Sequence, residues 1–131
     1  MVLLWKQIPM SAASNLLVNV VFGTPNGNFN GNASSFFSNS IKGDGYFGYA
    51  DGLHTAAYFT TNLLGVITLQ ASLIAEPGTN DWFDVTGTTF GSASTPTSMQ
   101  QNFNFTGNFV WIRTKITNFT AGSIGKITVV Q

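Results

Sequence analysis

The chain has 131 residues, no cysteine, and five basic and five acidic residues, so its formal net charge is zero. That length predicts one domain with a hydrophobic core of its own. Zero net charge argues against nucleic-acid binding, which favours a basic surface, and the lack of cysteine excludes disulfides and thiolate metal sites.

Charged residues make up only 8% of the chain, against roughly 25% in ordinary domains. Asn, Ser, Thr, Gly and Gln take their place, and twelve Phe are present. A free monomer usually needs more charge to stay dispersed. The composition therefore favours a protein held against other subunits, and a neutral secreted domain is the alternative interpretation.

The N-terminal residues Met1 to Lys6 are apolar but too short for a secretion signal, and Pro9 follows them. No run of apolar residues approaches the length of a membrane-spanning helix, so we expect no membrane partner. Val2 to Lys6 is a predicted short strand. The β-branched apolar run from Leu16 to Phe22 predicts a buried strand.

Residues 23–43 (GTPNGNFNGNASSFFSNSIKG) are predicted to form an unusually long loop, rich in Asn, Gly and Ser. Loops of this length are usually functional or disordered, and the three Phe side chains argue against disorder. Aromatic side chains in a polar loop need a pocket, either on their own domain or on a partner. We predict that Phe29, Phe36 and Phe37 contact a partner subunit; the alternative is that they plug the domain's own core.

Two hairpins are predicted in the middle of the chain. Asp51-Gly52 separates predicted strands at 45–50 and 53–60, and this dipeptide is a strong hairpin signal. The second hairpin, Leu64 to Val85, contains an alternating strand, a turn rich in Pro, Gly, Asn and Asp, and a short run that begins at Trp82. We expect the rest of the domain to pack around this second hairpin.

The remaining predicted elements are a small-residue loop followed by three strands, at 87–98, 99–105, 109–117 and 123–131. In the strand at 109–117, apolar residues alternate with Trp111, Arg113 and Lys115, whose side chains can reach water. Eight or nine short strands without a helical period predict an all-β fold, with residues 1–131 forming one antiparallel β-sandwich. A jelly-roll-like topology stays open.

Few residues favour catalysis. His54 is the single histidine, and a lone His in a strand is more often packed than catalytic. Asp81 and Asp84 lie close together, but their spacing fits neither a calcium loop nor a helix face, and Asp81 also suits a turn cap. We therefore predict no enzymatic activity, no metal and no cofactor.

Two segments resemble small β-sandwich structural proteins of tailed bacteriophages of the T4-like cyanophage type. The first runs from Gly52-Leu53-His54-Thr55 through the hairpin to Asp81-Trp82-Phe83, and the second is FTGNFVWIR, residues 105–113. In such proteins a strand after a turn carries the Trp-Phe pair, and an aromatic-apolar strand closes the core. The resemblance covers residues 50–130 and leaves the 23–43 loop outside it.

The resemblance implies a non-enzymatic virion protein, either a capsid decoration or a tail or baseplate component. Its expected partners are other virion proteins and copies of itself in a large homo- or hetero-oligomeric assembly. Leu3, Leu4 and Trp5 are then further candidate contact residues, because an N-terminal strand can add to a neighbour's sheet edge. The rival interpretation is a carbohydrate-binding β-sandwich module in which Trp82 or Trp111 stacks on a sugar ring.

Overall fold

The computed structural model describes residues 14–48 and 52–131, and within them every regular element is a β-strand. The seven strands are β1 (Ser14–Val21), β2 (Phe36–Phe37), β3 (Ile41–Lys42), β4 (Leu53–Ser72), β5 (Phe83–Asp84), β6 (Phe90–Thr106) and β7 (Trp111–Val130). All pairings are antiparallel. The predicted all-β antiparallel class is confirmed, with a strand count close to the expected one.

Strands β4 and β7 form the centre of the sheet and pair along almost their whole length. Strands β5 and β6 pair with the other edge of β4, whereas β1, β2 and β3 pair with the other edge of β7. The short strands β2 and β3 were not predicted, because they lie inside the 23–43 segment that we assigned to a loop.

The sheet folds over on itself, as the short connection between β6 and β7 shows. Thr106 pairs with Leu53 at the start of β4, and Trp111 pairs with Ser72 at its end. The linker 107–110 reaches at most about 18 Å, whereas a straight strand of that length would extend about 60 Å. The two halves of β4 must therefore lie in two facing layers.

These layers make the β-sandwich. The first layer contains β1, the C-terminal half of β7, the N-terminal half of β4 and most of β6; the second contains β2, β3, β5 and the other halves of β4 and β7. Tyr58 crosses between them, because its hydroxyl donates a 2.8 Å hydrogen bond to the carbonyl of Thr88. Thr88 in turn accepts a hydrogen bond from the amide of Leu69 in the second layer.

The three long strands β4, β6 and β7 all bend where bulges and glycines lie next to one another in the sheet, and we call this line of bends the crease or fold line. Pairing is irregular between Thr60 and Gly65 of β4, and Gly122 of β7 has a φ of +86°. A Cβ at Gly122 would overlap the carbonyl of Asn62, and one at Gly91 would overlap the carbonyl of Gly65. Close backbone approach at the fold line thus requires glycine.

The crease also explains the core pattern along β4. Before it, even-numbered residues such as His54 and Tyr58 are buried, and after it the odd-numbered Leu63, Ile67 and Leu69 are buried. A bulge adds one residue to a period of two, so the core-facing side chains change from even to odd numbers while the face stays the same.

Several predicted strand boundaries were wrong. The strand predicted at 53–60 and the first strand of the 64–85 hairpin are one strand, as are those predicted at 109–117 and 123–131, and the small-residue loop at 87–98 lies largely within β6. The described part of the strand predicted at 45–50 is a turn. The hairpin at 64–85 is confirmed, since β5 pairs with Gln70 and Ala71 of β4.

Phe29 and Phe36 do not lie at the surface, which corrects our prediction that they contact a partner. Phe29 is 1% exposed and Phe36 is 9% exposed. The Phe29 ring centroid lies 5.1 Å from that of Phe36 and 5.2 Å from that of Phe119, which belongs to β7. With Phe22, these rings form one aromatic cluster, so the loop plugs the domain's own core. Leu3, Leu4 and Trp5 lie outside the described residues.

Candidate functional site

The solvent-facing side of the second layer carries a group of aromatic and cationic side chains. Register places the following residues on this side of the sheet, which we call the outer face: Phe37, Lys42, Gln70, Asp84, Trp111, Arg113 and Lys115. Their sequence neighbours Phe36, Ile112 and Ile116 point the other way and are buried. The strand-period alternation predicted for 109–117 is therefore confirmed.

Arg113 lies between two aromatic rings at the centre of the outer face. Its guanidinium carbon is 3.9 Å from the ring centroid of Phe37 and 4.1 Å from the ring of Trp82. Phe37 is 44% exposed, so it is the one of the three predicted loop aromatics that a partner can reach. The stack joins residues from β2, β7 and the end of the 73–82 loop.

A polar row continues from Arg113 across the sheet. The Arg113 Nε donates a 2.9 Å hydrogen bond to the side-chain oxygen of Gln70, whose amide donates to Asp84 at 3.0 Å. Lys115 completes the row with a 2.9 Å ion pair to Asp84. These bonds, first that from Gln70 and then that from Lys115, hold the pKa of Asp84 below its usual value.

Trp111 occupies the other end of the outer face. Its indole N–H donates a 2.9 Å hydrogen bond to the carbonyl of Ala75, and its ring packs edge-on against Tyr46 at 5.2 Å. Lys42 lies 4.6 Å from the Tyr46 ring centroid. Trp111 is half-buried and anchors the 73–82 loop, whereas Tyr46 and the neighbouring Phe47 are exposed.

The remaining candidates from the sequence have structural roles. His54 is fully buried, stacks on Phe105 and Phe109, and has its Nε2 2.8 Å from the carbonyl of Gly107. Asp81 accepts a 2.7 Å hydrogen bond from the amide of Gly78, so it caps a turn as predicted. Neither geometry brings a nucleophile and a base together.

Two clefts open at the sides of the sandwich. One, of about 210 Å³, lies between β1 and the 23–43 segment and is lined by Leu17, Val18 and Phe36. The other, of about 400 Å³, is lined by Phe83, Asp84 and Phe105. Both have mainly apolar or neutral walls, and neither contains a convergent group of titratable side chains.

Among residues 14–48 and 52–131, no group of three or more His, Cys, Asp or Glu side chains is arranged to hold a metal ion. The same residues contain no helix of the length and apolar character that crosses a membrane.

Sequence reasoning assigned Trp111, Arg113 and Lys115 to one exposed side but missed that Arg113 is the centre of the site. Phe37 and Trp82 are 76 and 31 positions away from it along the chain. Alternation shows which side of a strand a residue faces, but it carries no signal for which distant residues meet there. Only the folded sheet brings β2 and the 73–82 loop to opposite sides of β7.

Neither the family models nor the curated proteins include a match to this chain. Among solved structures, the chain is similar to the CBM22-1 and GH10 modules of an endo-1,4-β-D-xylanase from Clostridium thermocellum, complexed with xylohexaose, at 13% identity and a TM-score of 0.40. The match covers 89% of this chain and 28% of that one. A likeness this weak supports no conclusion about function.

Proposed function

We propose that this protein is a non-enzymatic structural component of a bacteriophage virion, in the capsid decoration or in the tail or baseplate, and that it acts through contacts between subunits. The observation that carries the proposal is the stack of Phe37, Arg113 and Trp82 on the outer face. Aromatic residues and Arg are enriched at protein interfaces and dominate their binding energy. The resemblance of residues 50–130 to phage β-sandwich proteins supplies the virion context.

Composition supports the same proposal. A chain with 8% charged residues has few charges to disperse it as a free monomer. The exposed aromatic side chains Phe37, Tyr46 and Phe47 lie on or beside the outer face. Phe37 contacts Arg113, and Tyr46 contacts both Phe47 and Trp111 at the other end of the face. An assembly subunit makes many identical contacts, and each of them can be weak because avidity holds the particle together.

The test measures how many copies of the chain enter purified particles, by quantitative mass spectrometry. We expect Phe37→Ser and Trp82→Ser to reduce incorporation strongly while the isolated domain stays folded by circular dichroism. Leu16→Ser is the matched control, because Leu16 is 60% exposed but belongs to β1 in the first layer. Particles that lack the wild-type chain, or that take up both outer-face variants normally, would contradict the proposal.

A carbohydrate-binding module is the second candidate, and the arrangement around Trp82 favours it. The planar indole of Trp82 lies against Arg113, which is hydrogen-bonded to Gln70 and through it linked to Asp84. An apolar ring next to a row of hydrogen-bonding groups is the composition of many small-molecule sites. A glycan array with Trp82→Ala and Trp111→Ala separates the two candidates. Glycan binding that is lost in Trp82→Ala supports this second function, and no binding by the wild-type chain removes it.

A further inference from the structure

The outer face carries an excess of positive charge in a chain that is neutral as a whole. Lys42, Arg113 and Lys115 are three of its five basic residues, and Asp84 is the acid that shares the face with them. Lys115 pairs with Asp84. These sheet residues carry three positive charges and one negative charge, and the adjoining 73–82 loop adds the exposed acids Glu76 and Asp81, so the cations and the acids that complement them lie on one surface of the chain.

Arg113 has the geometry to bind a carboxylate of an acidic partner. Its guanidinium carbon lies over the rings of Phe37 and Trp82, and Gln70 accepts a hydrogen bond from its Nε. Within the described residues, no oxygen accepts a hydrogen bond from its Nη groups and no carboxylate pairs with it. A planar, pre-ordered guanidinium with its outer N–H groups unused matches a carboxylate in a bidentate geometry.

Arg113 is also partly desolvated. Burial lowers the pKa of its guanidinium below the usual value, because removing solvent disfavours the charged form. A cation that has lost part of its hydration without gaining a counter-ion is compensated when a carboxylate binds. Arg113 is linked to the Asp84–Lys115 ion pair only through Gln70 and has no carboxylate of its own among the described residues.

The chain carries a complementary acid in the loop that adjoins the outer face. Glu76 lies in the exposed 73–82 loop, which ends at Trp82 and is tied to the outer face through the bond from Trp111 to Ala75. No described cation forms an ion pair with Glu76. Leu73 and Ile74, on the same loop, are 61% and 46% exposed. Asp81 is less suited, because one of its oxygens already caps the amide of Gly78.

We propose that the outer face is a self-association surface, on which the 73–82 loop of a second copy places its Glu76 carboxylate against the Nη groups of Arg113. Donor and acceptor belong to the same chain, so two copies related by a two-fold axis make the contact twice. Leu73 and Ile74 of each copy then cover the exposed aromatic rings of the other. This inference rests on the proposed function and names the partner of the same face.

Sedimentation equilibrium of the full chain tests it. The wild-type chain dimerises, and the dimer weakens as salt rises because ion pairing contributes. Arg113→Glu and Glu76→Arg each raise the dissociation constant by roughly tenfold or more, since each leaves like charges facing across the interface. An equimolar mixture of the two variants restores one of the two contacts and forms heterodimers.

Two variants distinguish loss of the Arg113–Glu76 contact from a general effect of changing a basic residue. Arg113→Lys keeps the charge but loses the bidentate geometry, so it weakens the dimer less than Arg113→Glu does. Lys126→Glu is the matched control, because Lys126 also lies over an aromatic ring, 5.0 Å from the centroid of Phe59, but belongs to the first layer. We expect the dissociation constant of the Lys126→Glu dimer to equal that of the wild-type chain.

A monomeric wild-type chain, or a dimer that tolerates Arg113→Glu, overturns the inference. The particle assay distinguishes this failure from failure of the proposed function. If the chain is monomeric alone but enters particles through Phe37 and Trp82, the proposed function stands and the partner is another virion protein. If it dimerises as expected but is missing from particles, the self-association stands without the virion role.

Discussion

Phe36 and Phe37 are adjacent in sequence and belong to opposite environments. Phe36 joins the buried aromatic cluster with Phe29 and Phe119, whereas Phe37 is exposed and covers the guanidinium of Arg113. The two-residue strand β2 causes the difference, because successive side chains of a strand point to opposite faces. One segment therefore closes the core and builds the outer face at the same time, and stability and binding can be changed separately within it.

Replacing Phe29 with Ala gives the largest expected effect. Phe29 is 1% exposed among three other rings, so its removal leaves a cavity that the sandwich cannot refill. We expect the free energy of unfolding to fall by about 3–5 kcal/mol. Phe37→Ala, a change of identical size on the exposed side, should cost less than about 1 kcal/mol.

Urea denaturation of the two variants measures this contrast directly. Equal losses for Phe29→Ala and Phe37→Ala would mean that the 23–43 segment stabilises the domain as one unit, without a division between core and surface. A loss of partner binding is therefore better tested with Phe37 alone than with a change to the whole segment, which also contains the two core rings Phe29 and Phe36.

Gly122→Ala, at the fold line of the sheet, is expected to have the next largest effect. A Cβ at Gly122 meets the backbone of Asn62 and Leu63, so we expect a loss of about 2–3 kcal/mol. Gly87→Ala is the matched control, because Gly87 has nearly the same φ, +85°, with nothing near its Cβ position. The strained φ alone should cost about 1–2 kcal/mol.

Thermal or urea unfolding of both variants separates backbone strain from steric overlap. If Gly122→Ala and Gly87→Ala lower the free energy of unfolding equally, the strands do not approach closely at the fold line. The two-layer arrangement of β4 would then need another explanation.

Much of the local structure could be predicted from the sequence. The hairpin at 64–85 followed from its turn residues, and the faces of 109–117 followed from strict alternation, because both signals act between near neighbours. The turn-capping role of Asp81 and the packed role of His54 are also visible in the structure.

The folding of the sheet could not be predicted in this way. At Asn62, which has a φ of +49°, the apolar pattern changes from even to odd residues, and we interpreted this break as the end of one strand and the start of another. A bulge and a turn give the same local signal. Whether the chain pairs onward or reverses depends on contacts with β6 and β7, which lie far along the sequence. The stack at Arg113 escaped prediction for the same reason.

Tyr58 provides a smaller effect that depends on pH and belongs to the core. Its hydroxyl is buried and donates to Thr88, so Tyr58→Phe should cost about 1–2 kcal/mol at neutral pH. Burial raises the pKa of Tyr58 in the folded protein well above its usual value. The folded state then binds the proton more tightly than the unfolded chain, so the stability that Tyr58 confers is complete below about pH 10 and is lost as the pH rises further.

Urea midpoints between pH 7 and pH 11 test the sign. The wild-type protein should lose stability above about pH 10 more steeply than Tyr58→Phe, so that the difference between them narrows. A difference that stays constant over this range would show that the phenol ionises equally well in both states.

Asp84 gives the smallest expected effect, and it belongs to the outer face. The bonds from Gln70 and Lys115 lower the pKa of Asp84, so its contribution is complete above the unfolded value of about 3.9 and is lost as the pH falls through the lower folded value. Because its side chain is 54% exposed, solvent screens the pair, and Asp84→Asn should cost less than about 1 kcal/mol at pH 7. The variant should also flatten the acid limb of stability below about pH 4. A double-mutant cycle with Lys115→Gln isolates the contribution of the Asp84–Lys115 pair. If the core holds the fold together and the polar groups of the outer face contribute little to stability, the coupling energy stays below about 1 kcal/mol. A coupling energy well above that value would contradict this contrast between core and outer face.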